Sequence, residues 1–183
     1  MTDAKRPNYF PDETLGKNQE EHNFRVSWYS ACLTAMEEPS VWEMSSDRES
    51  HVYRFLLLPS FDSPAVGVRL SVRKDGTAGL ISTVTGPSML GHPSAPINKK
   101  TEHLTKEQTN TFLGIVQKTR FWNEPHLEPH LDNRVELDGE QWILEGVRNG
   151  EYHIVDRWSP EKGVCLELGR HLMFDLAELQ LDE

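Results

Sequence analysis

The tetrapeptide Arg148-Asn149-Gly150-Glu151 constrains what this chain can fold into more than any other feature. An Asn-Gly pair accepts the two positive φ angles of a two-residue type I′ hairpin turn. Here it joins two runs rich in strand formers, Gln141 to Val147 and Tyr152 to Trp158. A two-residue turn leaves the register no freedom. With Arg148 opposite Glu151, one face of the hairpin pairs Trp142 with Arg157, Leu144 with Val155 and Gly146 with His153. The other face pairs Gln141 with Trp158, Ile143 with Asp156, Glu145 with Ile154 and Val147 with Tyr152.

The rest of the chain supplies elements that can join this hairpin. Residues 1–22 mix charges, Asn, Gln, Pro and Gly without periodicity and are expected to form a flexible tail, mobile or pinned to the surface, before a single domain over 23–183. Val26, Tyr29, Leu33 and Met36 repeat at helical spacing, which predicts a first helix ending before Pro39. His51 to Leu58 reads as a central strand closed by Pro59. Ala65 to Lys74 and Thr77 to Thr85 flank Asp75-Gly76, which predicts a second two-residue hairpin, with Leu70 opposite Ile81, Val68 opposite Thr83 and Arg69 opposite Ser82. Four prolines and glycines, Pro87, Gly91, Pro93 and Pro96, mark 86–100 as a loop. Thr105 and Gln108 form a capping box for a second helix with Phe112, Leu113, Ile115 and Val116 buried. Ser159-Pro160 is read as the start of a last helix reaching about Leu179. The expected order is α-β-β-β-α-β-β-α: an α+β domain with one mainly antiparallel sheet of about five strands and helices on one face.

Charge then narrows the partners. Among 183 residues, 29 acids against 19 bases give a net charge of −10, so nucleic acid and anionic membrane are unfavourable partners. No apolar run approaches the roughly 20 residues of a membrane span, and the first ten residues carry no secretory pattern. Cys32 and Cys165 lack metal or redox spacing, and free thiols suit a reducing cytoplasm.

The stretch Leu137-Asp138-Gly139-Glu140-Gln141-Trp142-Ile143-Leu144-Glu145-Gly146-Val147, followed by Tyr152-His153-Ile154-Val155-Asp156-Arg157-Trp158-Ser159-Pro160, resembles a pattern found in a family of uncharacterised bacterial proteins. Trp28-Tyr29-Ser30, the segment from Met36 to Trp42, Val52-Tyr53-Arg54-Phe55-Leu56 and Phe121-Trp122 share the likeness, which covers most of residues 24–179. It implies an architecture and assigns no catalytic residue. The segment His126-Leu127-Glu128-Pro129-His130 departs from the pattern.

Several groups carry candidate chemistry. The hairpin register makes Glu145 and Asp156 diagonal neighbours within about 7–8 Å, which suits an acid and base pair, with His153 on the opposite face. The competing and favoured reading is that Asp156 orders the Ser159-Pro160 turn or pairs with an arginine such as Arg54, while Glu145 lies at the solvent edge. Gly146 opposite His153 leaves a gap for a ligand or, preferably, for the ring of His153 or Trp142. Trp142 and Arg157 are expected to make a cation–π pair. His126 and His130 lie four apart between prolines, a spacing that rotates ligands away from one another, so no metal or cofactor is expected. From Glu124 to Glu140 there are six acids and one base, Arg134.

These features favour a non-catalytic cytoplasmic binding protein, immunity- or antitoxin-like, engaging a basic protein partner through Glu124, Glu128, Asp132, Glu136, Asp138, Glu140 and Trp158. A small hydrolase using Glu145, Asp156 and His153, and a homo-oligomeric scaffold such as a homodimer, are the alternatives. No glycine-rich phosphate loop or nucleophile elbow is present.

Overall fold

The structure is a computed structural model and describes residues 8–59, 63–87, 93–128 and 139–180. Three helices, α1 (Gln19–Ala35), α2 (Lys106–Lys118) and α3 (Val164–Arg170), accompany six strands: β1 (His51–Pro59), β2 (Pro64–Val72), β3 (Ala78–Pro87), β4 (Pro96–Leu104), β5 (Glu140–Arg148) and β6 (Glu151–Trp158). All strand pairs are antiparallel, in the spatial order β4-β3-β2-β1-β5-β6. The α+β class and the single antiparallel sheet are as expected from sequence, and β1 is central.

Three corrections follow. The loop expected over 86–100 is cut back by β3, which runs to Pro87, and by β4 from Pro96, an edge strand whose side chains are nearly all exposed or half-buried; residues 88–92 of that loop lie outside the described residues. Strand β4 has no apolar alternation because only its backbone is needed, and Lys99 and Lys100 on an open edge discourage pairing with another chain. The helices pack on both faces, not one. Odd-numbered residues of β1, Tyr53, Phe55 and Leu57, enter a core with Phe112 and Val116 of α2 and Leu168 of α3, while Leu56 and Leu58 meet Tyr29, Leu33 and Met36 from α1 and its end. The segment expected as a tail contributes to that second core over the described residues 8–22: Tyr9, Phe10 and Leu15 are buried in it, and α1 already begins at Gln19, capped by the Asn18 side chain.

The two glycine hairpins fold differently. At β5–β6, Asn149 (φ 55°) and Gly150 (φ 84°) form the type I′ turn, and every expected pair from Gln141–Trp158 to Arg148–Glu151 is present. At β2–β3 only Gly76 has a positive φ (83°), because the Asp75 carboxylate accepts hydrogen bonds from the Thr77 N–H (2.9 Å) and hydroxyl (2.7 Å). The connection is a three-residue loop closed by Arg73 and Thr77. Register therefore moves by one, pairing Leu70 with Leu80, Val68 with Ser82 and Arg69 with Ile81.

The α2 capping box forms with both of its hydrogen bonds. The last helix starts later than expected, at Val164, and runs into a π-helical turn at His171–Leu176. Ser159 does not cap it. Its N–H donates to the Glu140 carbonyl (2.8 Å) and its hydroxyl accepts from the Glu140 N–H (2.9 Å), which closes the open end of the β5–β6 hairpin. Among the described residues no helix is long and apolar enough to cross a membrane.

Candidate functional site

The register places Glu145 and Asp156 on the α1 face, as expected, but both are fully buried and both are spent in ion pairs. Arg54 stands between Arg69 of β2 and Glu145 of β5 on one cross-strand row. Its Nε (2.7 Å) and a terminal nitrogen donate to the same Glu145 oxygen, its other nitrogen donates to the Pro39 carbonyl (2.6 Å), and Tyr152 donates to the second Glu145 oxygen (3.0 Å). The two adjacent arginines are reconciled by Glu38, which accepts from Arg69 (2.8 Å) and lies 4.0 Å from Arg54. Two cations and two carboxylates thus balance in charge, with Arg54, Glu145 and Glu38 buried and Arg69 half-buried. Burial still pushes the Glu145 carboxyl above the usual range against the pull of Arg54.

Asp156 accepts from Arg25 (2.7 Å), from Tyr29 (3.0 Å) and from Gln141. Burial likewise raises its pKa, and the Asp156 charge helps raise that of Tyr29 after burial itself. The arginine expected as the partner of Asp156, Arg54, belongs to Glu145, and Arg25 of α1 takes its place. Glu145 is not at the solvent edge. Every acceptor oxygen on these two carboxylates already has a donor, and neither residue lines a described cleft, so the pair lacks the access that acid and base work on a substrate requires.

On the opposite face the gap at Gly146 is filled by neither His153 nor Trp142. Phe121 fills it, with its ring edge where a Cβ on Gly146 would come within 2.7 Å. His153 packs edge-on against Phe121 and against His126, each with centroids 5.0 Å apart. Burial, and then the neighbouring His126, push its pKa below the ordinary 6.5. Arg157 does not stack on Trp142, which packs against Phe55 (5.1 Å). It turns to Glu124 (2.8 Å) and the carbonyls of Pro125 and His126. With the Asp156 N–H donating to the His126 carbonyl (2.8 Å), these bonds pin 124–126 along the outer edge of β6.

Of the residues expected to meet a basic partner, Glu124 is therefore neutralised by Arg157, Glu140 accepts from the Trp142 indole (3.0 Å), Glu128 is half-buried, and Trp158 is half-buried over Gly139. Asp132, Glu136 and Asp138, together with His130, lie outside the described residues. Among the described residues no three His, Cys, Asp or Glu side chains gather as metal ligands.

A second site comes from residues that sequence reasoning passed over. At the turn end of β1 and β5, a cleft of about 460 Å³ opens between the sheet and α2. Strand pairing sets His51 beside Arg148, and Tyr53 lies two residues along β1 on the same face. The Arg148 guanidinium sits over the Trp122 ring, 4.8 Å from its centre. Arg120, just past the end of α2, also lines the cleft and is exposed. The His51 Nε2 lies 3.1 Å from the Tyr53 hydroxyl, and burial, reinforced by Arg148, lowers the His51 pKa. Leu113 and Val116 of α2 give the cleft an apolar wall. The one signal in the sequence was local: Arg120 precedes Phe121-Trp122, an arginine beside an aromatic pair.

Searches against protein-family models and against curated proteins find no match to this chain.

Proposed function

We propose that the chain is a non-catalytic binding protein whose partner is a protein with a basic surface, received on the acidic segment 124–140 and the adjoining edge of the last hairpin. The observation that carries this reading is the concentration of six acids against one base in a segment whose first residues are pinned along the outer edge of β6. A concentrated negative field beside a rigid hairpin speeds encounter with a basic surface and penalises acidic competitors. Among the described residues Glu128 and Glu140 make no ion pair, so their charges are not spent internally.

An oligolysine peptide titrated into the intact protein across a salt series tests the reading. Affinity should fall steeply with ionic strength. It should also weaken several-fold when Glu128→Gln, Asp132→Asn, Glu136→Gln, Asp138→Asn and Glu140→Gln are combined. Binding that ignores salt, or that survives the five substitutions unchanged, overturns it.

A further inference from the structure

The cleft between α2 and the turn end of β1 and β5 is cationic in a chain of net charge −10. No carboxylate lines it among the described residues. Elsewhere Arg25, Arg54, Arg69 and Arg157 each pair with Asp or Glu, Arg73 bonds Thr77 and His103, and Arg170 lies over Phe174. Among the described residues Arg120 and Arg148 make no such pair, although Glu151 stands across the hairpin from Arg148.

Arg120 also occupies a backbone position that disfavours it. Following Thr119 at the end of α2, it has φ 56° and ψ 38°, the left-handed conformation in which helices commonly end on glycine. A side chain there crowds the following carbonyl oxygen and strains the backbone. Arg148 is held differently: its guanidinium lies over the Trp122 ring, and among the described residues it pairs with no carboxylate. A fixed guanidinium fork matches the two oxygens of a carboxylate or phosphate. Tyr53 and His51, hydrogen-bonded to each other, also line the cleft, and its volume lies in the range of small-molecule sites.

We propose that this cleft binds a small organic oxyanion, a carboxylate or phosphate carried on a flat apolar body. Arg148 and Arg120 take the oxyanion, and Trp122 with Val116 takes the body. The site shares no residue with the acidic segment, so it stands or falls independently of the basic-partner reading.

The experiment titrates phenyl phosphate, benzoate and benzylamine into the full chain, followed by calorimetry and by the Trp122 indole N–H signal in NMR spectra. The two anions should bind saturably and shift that signal, and benzylamine, with a similar body and opposite charge, should not. Tighter binding of phenyl phosphate assigns a phosphate ligand, and tighter binding of benzoate a carboxylate. Arg120→Gly separates folding from binding: it relieves the left-handed backbone, so the melting temperature should hold or rise while anion affinity falls several-fold. Arg148→Gln should weaken binding further. Absence of saturable binding by both anions, equal binding of benzylamine, or unchanged affinity in Arg120→Gly overturns the proposal.

Discussion

On the α2 and α3 face the central strands present Tyr53, Phe55, Leu57, Leu144 and Val155, with Phe121 seated over Gly146; on the α1 face the same strands present Arg54, Arg69, Glu145 and Asp156 among Leu56, Leu58, Ile143 and Ile154. Both faces are dry. The first is held by area and shape, which degrade gradually as atoms are removed. The second adds charges that contribute little net stability when paired and become strongly unfavourable when one partner is lost. The difference teaches that burial alone does not tell how a face will respond to substitution.

The largest expected effect breaks the charged face. Arg54→Met leaves Glu145 without its cation and should cost about 3–5 kcal/mol, read as a lower urea midpoint with an unchanged slope. Adding Glu145→Leu should recover much of that loss; a double variant no better than the single would show that the pair is not the cause. On the apolar face Gly146→Ala should cost about 1–3 kcal/mol, because the new methyl meets the Phe121 ring. In a Phe121→Ala background the same change should cost less, and equal costs in both backgrounds would break the packing account.

The faces should also answer pH with opposite signs. His153 is held neutral below the ordinary 6.5 by burial and His126, so the folded state binds fewer protons than the unfolded state. Its contribution is whole above pH 6.5 and is lost as pH falls through the lowered folded value. Glu145 and Asp156 are raised above 4.5 and 3.8 by burial, so the folded state binds more protons. Their contribution is whole below those values and is lost as pH rises through the raised ones. Denaturation curves across pH should therefore flatten near and below 6.5 in His153→Gln, and lose a decline on the alkaline side of the carboxylate range in Glu145→Gln. The smallest effect belongs to neither face: Thr105→Ala removes the α2 cap and should cost about 1 kcal/mol, a fall of about 2–4 °C in melting temperature.

How much of this was legible in sequence depended on whether the determinant was local. Asn149-Gly150 fixed its turn without outside help, and with it the whole β5–β6 register. Asp75-Gly76 looked equivalent, yet the Thr77 hydroxyl and N–H hold Asp75 in an ordinary conformation and lengthen the loop by one residue. Strand β4 carries no pattern because an exposed edge needs none. Tyr9, Phe10 and Leu15 carry no periodicity because they fill a gap made by α1 and the sheet rather than one side of an element. The carboxylates of the hairpin were visible as neighbours, but their partners Arg25 and Arg54 lie 131 and 91 residues away in the chain. The cationic cleft is assembled from β1, β5 and the end of α2, and no short window of sequence contains it.

The strand order has a consequence for how the chain comes off the ribosome. Strands β1 to β4 can form a meander as soon as they are made, but β1, buried in the folded chain at all but its two ends, then ends that meander with its outer backbone edge bare until residues 140–158 exist. Arg54 waits for Glu145 over the same interval, and Arg25 for Asp156. The last hairpin, whose turn needs no help to close, is thus a latch: its docking covers the open edge and brings the buried Glu145 and Asp156 to Arg54 and to the half-buried Arg25 in one event, and a nascent chain stalled before it exposes a template for unwanted pairing.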